Sequence, residues 1–195
     1  MRSVAGTARS TATARYIVDP LDGTTNFLRG IPHFCSSIAY ADGSGVLAAV
    51  VLDPMLDELF WAERGQGAFL GERRLVLGVS RGLDGALLHT GNPHLTAPAY
   101  PSYLAQLGRV MATNSSLRRL GAAALDLAYV AAGRGDGFFE PALKPWDIAA
   151  GLLLVREAGG VVSDHRGEDG MLESGDILAA TRELHPLLLA LLQGA

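Results

Sequence analysis

The first half of the chain alternates short apolar runs with turns that contain glycine. Two of these runs, at residues 34–40 and 46–52, are joined by the polar tetrapeptide 42–45, Asp-Gly-Ser-Gly, which is typical of a β-hairpin. A short helix is predicted at residues 24–28. Further strands are predicted at residues 16–18, 58–62 and 68–70. We therefore expect this half to form a mainly antiparallel sheet.

The second half alternates helix patterns with strand patterns. Helices are predicted at residues 99–107, 122–132, 147–158 and 182–193, and strands at 86–90, 137–140, 161–163 and 177–180. This order predicts an α/β protein of the layered α+β kind, with sheets and helices stacked on one another. The pattern allows one domain, or two closely packed halves divided near residues 75–84.

Composition narrows the class of protein. The 195 residues are 49% hydrophobic and 18% charged, which predicts a packed domain with a sizeable core. A net charge of −4 without a long charged run argues against a nucleic-acid partner. Cys35 is the single cysteine, so no internal disulfide forms and a reducing compartment fits. No apolar run approaches the ~20 residues that span a membrane, and we predict a cytoplasmic protein.

Residues 1–15 are basic and rich in alanine, serine and threonine. They lack the apolar centre of roughly 7–15 residues that a secretory signal needs. The composition is compatible with a transit peptide, but we interpret the segment as a disordered or misassigned start. The predicted organisation is therefore an N-terminal segment, 1–15, followed by one folded domain, 16–195.

The most informative motif is the string Val-Asp-Pro-Leu-Asp-Gly-Thr-Thr-Asn-Phe at residues 18–27. Pro20 fixes φ between Asp19 and Asp22, so that both carboxylates can point to one side of the chain. The carbonyl of Leu21 lies between them, and such oxygen ligands are the ones that Mg²⁺ prefers. The alternative interpretation is an ordinary Asx-type turn capped by hydroxyls. The complete ten-residue string favours the cation site.

The same motif continues with features that suit a phosphate group. Gly23 allows backbone N–H groups to approach an anion closely. Thr24 and Thr25 open the predicted helix, whose N-terminus favours phosphate. The Thr24 hydroxyl is also placed to orient a water molecule.

A third carboxylate appears in the string Trp-Asp-Ile-Ala-Ala-Gly at residues 146–151. Asp147 is read either as a common helix N-cap or as a ligand that completes a metal site. Trp146 is compatible with simple core packing. Three carboxylates would let two cations, ~3.5–4 Å apart, activate water and stabilise a leaving oxygen.

These two strings resemble the paired signatures of the inositol monophosphatase family, which are Mg²⁺-dependent, lithium-sensitive phosphomonoesterases. The similarity covers about residues 15 to 195 and includes the stretches 30–34, 54–68, 125–140 and 157–160. It implies an inositol-monophosphatase-like αβαβα sandwich for the domain at 16–195, commonly assembled as a homodimer. It also implies a small phosphorylated substrate and two or more Mg²⁺ ions.

The resemblance assigns a role to each matching residue. Asp22 and Thr24 match the catalytic positions, with Thr24 polarising the attacking water. Metal ligands are implied at Asp19, the Leu21 carbonyl, Asp22 and Asp147, and substrate contacts at Gly23, Thr24, Arg118, Gly121, Ala122, Ala123, Glu140 and Asp147. The alternative reading of Glu140 is a solvated acid at a strand end.

Two departures from the family pattern change the expectation. The segment Gly121-Ala122-Ala123 replaces the family's Gly-Ser-Ala or Gly-Thr-Ala, which removes a hydroxyl near the substrate. No acidic residue precedes Asp19, whereas the family carries an upstream Glu ligand after two N-terminal helices. We therefore expect an N-terminally truncated member with weaker metal affinity and one uncovered face on the first sheet.

The sequence thus predicts a Mg²⁺-dependent phosphatase of a small phosphorylated polyol, with inositol monophosphate as the leading substrate. Histidinol phosphate, fructose 1,6-bisphosphate and 3′-phosphoadenosine nucleotides are the competing substrates. The alternative function is a truncated, catalytically weak or inactive member that binds metal or phosphate, or acts as an interaction module. The predicted partners are the small substrate and a second copy of the chain, without nucleic acid or membrane.

Overall fold

A computed structural model describes residues 14–79, 82–93 and 98–194. The predicted N-terminal segment, 1–15, falls outside this part of the chain except for its last two residues, and the first strand begins at Arg15. Among the described helices, none is both long and apolar enough to cross a membrane.

The first sheet is a six-stranded antiparallel meander. Its strands are β1 (Arg15–Asp22), β2 (Cys35–Asp42), β3 (Gly45–Asp53), β4 (Glu58–Glu63), β5 (Gly67–Leu70) and β6 (Arg73–Leu75), in that spatial order. The predicted hairpin is confirmed, since Asp42 pairs with Gly45 across a two-residue loop. The Asp42 carboxylate accepts the backbone N–H of Ser44 at 2.7 Å, which stabilises this turn.

The second sheet has five strands and mixed direction. They are β7 (Leu87–Thr90), β8 (Ser116–Arg118), β9 (Gly137–Glu140), β10 (Val161–Ser163) and β11 (Ile177–Ala180), in the spatial order β10-β11-β9-β7-β8. Strand β7 is parallel to both β8 and β9. The boundary between the two sheets lies between Leu75 and Leu87, close to the division that the sequence allows.

Helices separate the sheets and cover the second one. They are α1 (Thr24–Arg29), α2 (Tyr100–Met111), α3 (Ala123–Ala131), α4 (Pro145–Glu157), α5 (Met171–Ser174) and α6 (Leu184–Gln193). Helices α3 and α4 lie in one core with the first sheet, to which β9 contributes Phe138. Phe139 points the other way, into a second core with α2 and α6. The described residues therefore stack as sheet, helices, sheet, helices.

Helix α4 is buried along most of its length because it runs between the two sheets. Its residues from Ile148 to Val155 are all buried. The Leu127 side chain of α3 approaches closely at Gly151, where an added Cβ would lie 2.4 Å from the Cβ of Leu127. This close crossing holds the first turns of both helices beside the end of β1.

The face of the first sheet opposite α4 is apolar and accessible in the described part of the chain. Val18, Ile38, Val50 and Trp61 are neighbours across four strands of this face. Ile38 is 41% exposed, and Tyr16 at the edge is 67% exposed. The uncovered face that the sequence suggests stays a prediction, because residues 1–13 lie outside the described part of the chain.

Several elements differ from the predicted ones. Strands β6 and β8 and helix α5 were not predicted, since each has only three or four residues and mixed polarity. Helix α4 begins at Pro145 rather than at Asp147. Proline is favoured in the first turn because its missing N–H would have no partner there.

Candidate metal and phosphate site

The first two acidic residues are brought to one side of β1 by an irregularity in the strand. Asp19 pairs with Ser37 and Asp22 with Cys35, so three steps along β1 oppose two along β2. This bulge offsets the alternation that would otherwise place positions 19 and 22 on opposite faces. Pro20 fits because β1 is an edge strand and needs no N–H there. The motif is therefore a bulged strand end rather than a free turn.

The structure brings Asp19, Asp22 and Asp147 together. One carboxylate oxygen from each lies within 4.8 Å of the others. Burial raises the pKa of Asp22 to about 8, and the charges of Asp147 and Asp19 add to the effect. Burial also raises the pKa of Asp147 to about 6 and raises the pKa of Asp19. Like charges this close are costly without a cation, so the cluster has the electrostatics of a cation site.

Asp147 reaches the cluster from the first turn of α4. It lies at the third helical position, and its carboxylate accepts the backbone N–H of Lys144 at 2.8 Å. The N-cap position belongs to Lys144, so the reading of Asp147 as the N-cap is wrong by three residues. One carboxylate oxygen thus closes the helix end, and the other is available toward Asp19 and Asp22.

The turn after Asp22 needs a glycine for two reasons. Gly23 has φ 82°, in the left-handed region that side chains disfavour. A Cβ there would also lie 3.0 Å from the carbonyl oxygen of His33 and 3.1 Å from the Cβ of Ala122. The next residue, Thr24, donates its hydroxyl to the carbonyl oxygen of Leu21 at 2.9 Å. That carbonyl and that hydroxyl therefore lie side by side at the site.

Two cavities meet at the acidic cluster. One, of about 260 Å³, is lined by Asp19, Leu21, Asp22, Gly23, Thr24, Thr25, Gly121, Trp146 and Asp147. The other, of about 210 Å³, is lined by Asp22, Gly91, Asn92, Arg119, Gly121, Ala122, Ala123, Asp126, Glu140, Leu143 and Asp147. We call them the metal-side and the substrate-side cavity. Asp22, Gly121 and Asp147 line both.

Most of the residues predicted to contact substrate line these cavities, but Arg118 does not. Arg118 ends β8, is exposed, and donates to the carbonyl oxygen of Leu117 at 3.0 Å. Its neighbour Arg119 lines the substrate-side cavity instead. Adjacent positions on an extended segment face opposite sides, so a shift of one residue exchanges the two arginines.

Glu140 is placed at the C-terminal end of β9 and is only 6% exposed. The reading of Glu140 as a solvated acid is therefore wrong. Burial raises the pKa of Glu140 to about 8, and Asp126, Asp147 and Asp22 raise it further through their charges. A carboxyl with a raised pKa takes up a proton more readily than an ordinary one, and in the protonated form it can both donate and accept hydrogen bonds.

The sequence did not single out the polar residues that support the site. Asn26 donates to the carbonyl oxygens of His33 and Leu120, each at 2.8 Å, and so joins α1 to two loops. Asp126 is buried in α3, where one oxygen contacts His33 at 3.2 Å and His89 at 3.3 Å. The signal in the sequence was an acid inside an otherwise apolar helix pattern, which needs buried polar partners.

The donor set fits a hard divalent cation. The three side chains offer carboxylate oxygens, and the Leu21 carbonyl adds a neutral oxygen beside them. Mg²⁺ prefers oxygen ligands and retains waters, which an open cluster of this kind permits. A soft metal would require thiolate or imidazole ligands, and the described cluster has neither.

Comparison with known proteins identifies the family of the chain. The inositol monophosphatase family matches residues 3–195. Inositol-1-monophosphatase of Rhizobium meliloti is 51% identical over 179 residues, which cover 92% of this chain and 67% of that protein. Nus factor SuhB of Escherichia coli K12 is 49% identical over 176 residues, covering 90% and 66%.

Solved structures give the same result. The extragenic suppressor protein SuhB from Bartonella henselae superposes with a TM-score of 0.89 at 49% identity, over 94% of this chain and 70% of that one. The chain spans about two thirds of the length of the curated relatives it matches. On sequence and on fold, the chain belongs to the inositol monophosphatase family.

Proposed function

We propose that the chain is a Mg²⁺-dependent phosphomonoesterase that hydrolyses a small phosphorylated polyol, with inositol monophosphate as the leading substrate. The observation that carries the proposal is the meeting of the two cavities at Asp22, Gly121 and Asp147. One cavity contains the acidic cluster, and the other would hold the organic part of a substrate. Relatives with the name inositol-1-monophosphatase support this class of substrate.

Asp19, Asp22, Asp147 and the Leu21 carbonyl would hold the Mg²⁺ ions. Bound there, the ions supply a nucleophilic water and charge stabilisation for the leaving oxygen. The residues of the chain contribute by holding the metal ligands in place. The bulge in β1 and the closed first turn of α4 hold the carboxylates 4.8 Å apart or less before any cation binds. A site preformed in this way loses little conformational entropy on binding.

Thr24 would orient the attacking water. Its hydroxyl proton is engaged by the Leu21 carbonyl at 2.9 Å, which leaves the oxygen lone pairs free to accept. A water that donates to this oxygen is fixed at the boundary of the metal-side cavity. Gly23 and the backbone N–H groups at the start of α1 would contact the phosphate oxygens, because first-turn N–H groups lack partners within the helix.

The substrate-side cavity favours a neutral polyol over a second phosphate. Glu140 and Asp126 are acidic groups of this cavity, and Arg119 is its one basic lining residue among those described. A second phosphate, as in fructose 1,6-bisphosphate, would meet Asp126, Glu140 and one arginine, besides the proposed metal ligands Asp22 and Asp147. Histidinol phosphate stays a competitor because its amine would be attracted to the same acids, and 3′-phosphoadenosine nucleotides stay competitors on the sequence alone.

The experiment is a measurement of phosphate release from inositol 1-phosphate, with and without Mg²⁺. Release is expected to require Mg²⁺ and to be lost in Asp22→Asn and in Asp147→Asn, because each change removes a charged ligand from the cluster. Arg118→Ala serves as the matched control outside the cavities. Turnover retained in either Asn variant would exclude the proposed metal site.

The second candidate is a family member that binds metal or phosphate without turnover and serves as an interaction module. Two observations favour it. The described cluster offers three carboxylates for two divalent cations, and the accessible face of the first sheet is apolar. Relatives with the name Nus factor SuhB are 49% identical. Calorimetric binding of Mg²⁺ or phosphate without any hydrolysis would select this candidate, and robust turnover would eliminate it.

A further inference from the structure

The floor of the substrate-side cavity contains an unusually close contact between Gly91 and Glu140. A Cβ built on Gly91 would lie 1.8 Å from Oε2, 2.1 Å from Cδ and 2.2 Å from Oε1 of Glu140. All three carboxyl atoms thus occupy the space that any side chain at position 91 would need. The backbone of Gly91 does not have a left-handed φ, so conformation does not explain the glycine. The glycine is explained by the space that the Glu140 carboxyl occupies.

The backbone around Gly91 is held firmly. Gly91 follows β7, which pairs in parallel with β9 as far as Thr90 and Phe139. The Thr90 hydroxyl donates to the carbonyl oxygen of Phe139 at 2.7 Å. The hydroxyl of Tyr103, which is 1% exposed, donates to the carbonyl oxygen of Gly91. Because these bonds hold the strand ends together, an added Cβ must displace the Glu140 side chain rather than the backbone.

The Glu140 side chain is largely buried, and it forms part of the wall of the substrate-side cavity. It is 6% exposed and lines the cavity beside Gly91, Asn92 and Arg119. Burial of a carboxyl is costly unless the carboxyl is hydrogen-bonded, so a ligand group that bonds to it in the cavity is favoured. The charges of Asp126, Asp147 and Asp22 are close enough to raise the pKa of Glu140, and Arg119 lowers it. A ligand hydroxyl is the partner that fits, because it can donate to or accept from a carboxyl in either protonation state.

We propose that Gly91 is the specificity-determining residue of the substrate-side cavity, since the absence of a side chain there holds the Glu140 carboxyl where it binds the hydroxyl groups of a polyol phosphate. The inference rests on the proposed function for the identity of the ligand. Gly91 acts through Glu140 and is a positioning residue. A larger residue at this position would select for phosphate esters without hydroxyl groups.

The test compares Gly91→Ala with the unsubstituted protein on inositol 1-phosphate and on p-nitrophenyl phosphate, which carries no hydroxyl group for Glu140. The KM for inositol 1-phosphate is expected to rise roughly tenfold, the value of about one buried hydrogen bond. Its kcat and both constants for p-nitrophenyl phosphate should stay the same. Gly108→Ala is the matched control, because a Cβ at Gly108 in α2 meets nothing within 4 Å.

A second variant separates this role from general damage. Glu140→Ala removes the atoms that a Cβ at position 91 would meet, so Gly91→Ala should have no further effect in that background. Equal losses on both substrates, or an additive loss in the double variant, would overturn the proposal. So would an unchanged KM in Gly91→Ala.

Equilibrium binding distinguishes failure of this inference from failure of the proposed function. If the unsubstituted protein does not turn over either substrate, the proposed phosphatase activity fails. Calorimetry with inositol 1-phosphate and with inorganic phosphate still tests Gly91. Weaker binding of inositol 1-phosphate alone in Gly91→Ala supports the inference. Equal binding by both proteins, or no binding of inositol 1-phosphate by the unsubstituted protein, overturns it.

Discussion

The backbone N–H of Ala124 donates a hydrogen bond of 2.7 Å to Oδ2 of Asp22, although the two residues are 102 positions apart in the chain. The bond joins the first turn of α3 to the bulged end of β1. It opposes the rise in the pKa of Asp22 that burial causes. The thiol of Cys35 lies 3.9 Å from the same oxygen. One oxygen of Asp22 is therefore oriented by the protein, and the other remains for a ligand.

Binding of Mg²⁺ near neutral pH should release protons. Asp22 has its pKa raised to about 8 and Asp147 to about 6, so Asp22 is mostly protonated at about pH 7 in the metal-free protein. Metal ligands must be deprotonated, and the proton leaves when the cation binds. Calorimetry in two buffers with different ionisation enthalpies measures the number released. Identical enthalpies in the two buffers would show that Asp22 is already ionised.

The stability of the metal-free protein should fall as the pH rises from about 6.5 to 8. The folded pKa values of Asp22 and Glu140 lie well above the ordinary carboxyl range, so the folded state binds more protons than the unfolded state in this window. The two carboxyls contribute their full stabilisation at pH values below their pKa in the unfolded state. This stabilisation is lost as the pH rises through their pKa in the folded state.

Two histidines, the half-buried His165 and the buried His185, act in the opposite direction, but at lower pH. Burial lowers the pKa of His165 and of His185, so they destabilise the fold only as the pH falls below about 6.5. Thermal unfolding in EDTA, scanned against pH, gives the measurement, with about 2–4 °C of Tm for each kcal/mol. Added Mg²⁺ should remove the loss above about pH 6.5. A Tm that rises toward pH 8 without metal contradicts the assignment.

Replacement of Asn26 should weaken both the fold and the site. Its amide group bridges the carbonyl oxygens of His33 and Leu120, which belong to two different loops. Asn26→Ala leaves both carbonyl oxygens without this donor, at a cost of about 1–3 kcal/mol. The free energy of unfolding from urea titration and the affinity for Mg²⁺ should fall together. A variant with unchanged stability and affinity would show that the bridge has no role in positioning the site.

Gly151→Ala should destabilise the protein through the crossing of α3 and α4. The new Cβ would approach Leu127 to 2.4 Å, and overpacking of a core typically costs 1–3 kcal/mol, about the same range expected here. Leu127→Ala in the same chain should reduce the cost of the Gly151 change, because it removes the opposing side chain. Denaturant titrations of the single and double variants measure the coupling. Purely additive costs would mean that the two helices adjust independently.

Arg119 and Arg118 should differ in their effect on substrate binding. Both side chains are exposed, but Arg119 lines the substrate-side cavity and Arg118 does not. Arg119→Ala is expected to raise the KM for inositol 1-phosphate by roughly five- to tenfold, the value of one charge-assisted contact. Arg118→Ala should leave KM unchanged. The reverse result would restore the sequence-based choice of Arg118.

The sequence was sufficient for the parts that depend on local pattern. The hairpin at Asp42–Gly45 follows from a turn signal between two apolar runs, and the predicted α4 is within two residues of its observed start. The resemblance to the family predicted that the two acidic strings meet, because both match metal-ligand positions of the same site. The fold of the family is confirmed by solved structures at a TM-score of 0.89.

The remainder depends on tertiary contacts that no local pattern records. The choice between Arg118 and Arg119 is set by which side of an extended segment faces the cavity, and a shift of one residue reverses it. The burial of Glu140 and its contact with Gly91 arise from parallel pairing of β7 with β9, whose strands are far apart in sequence. The hydrogen bond from Ala124 to Asp22 also cannot be predicted from the sequence pattern, because it depends on where α3 packs.

The central claim is that Asp19, Asp22 and Asp147 form a divalent-cation site. The most direct test is a crystal structure of the full chain grown with Mn²⁺, which substitutes for Mg²⁺ and gives an anomalous signal. We expect anomalous difference density within coordination distance of all three carboxylates, and its loss in Asp22→Asn. An anomalous map that has no density at this cluster would contradict the account, whether or not the ion binds elsewhere in the crystal.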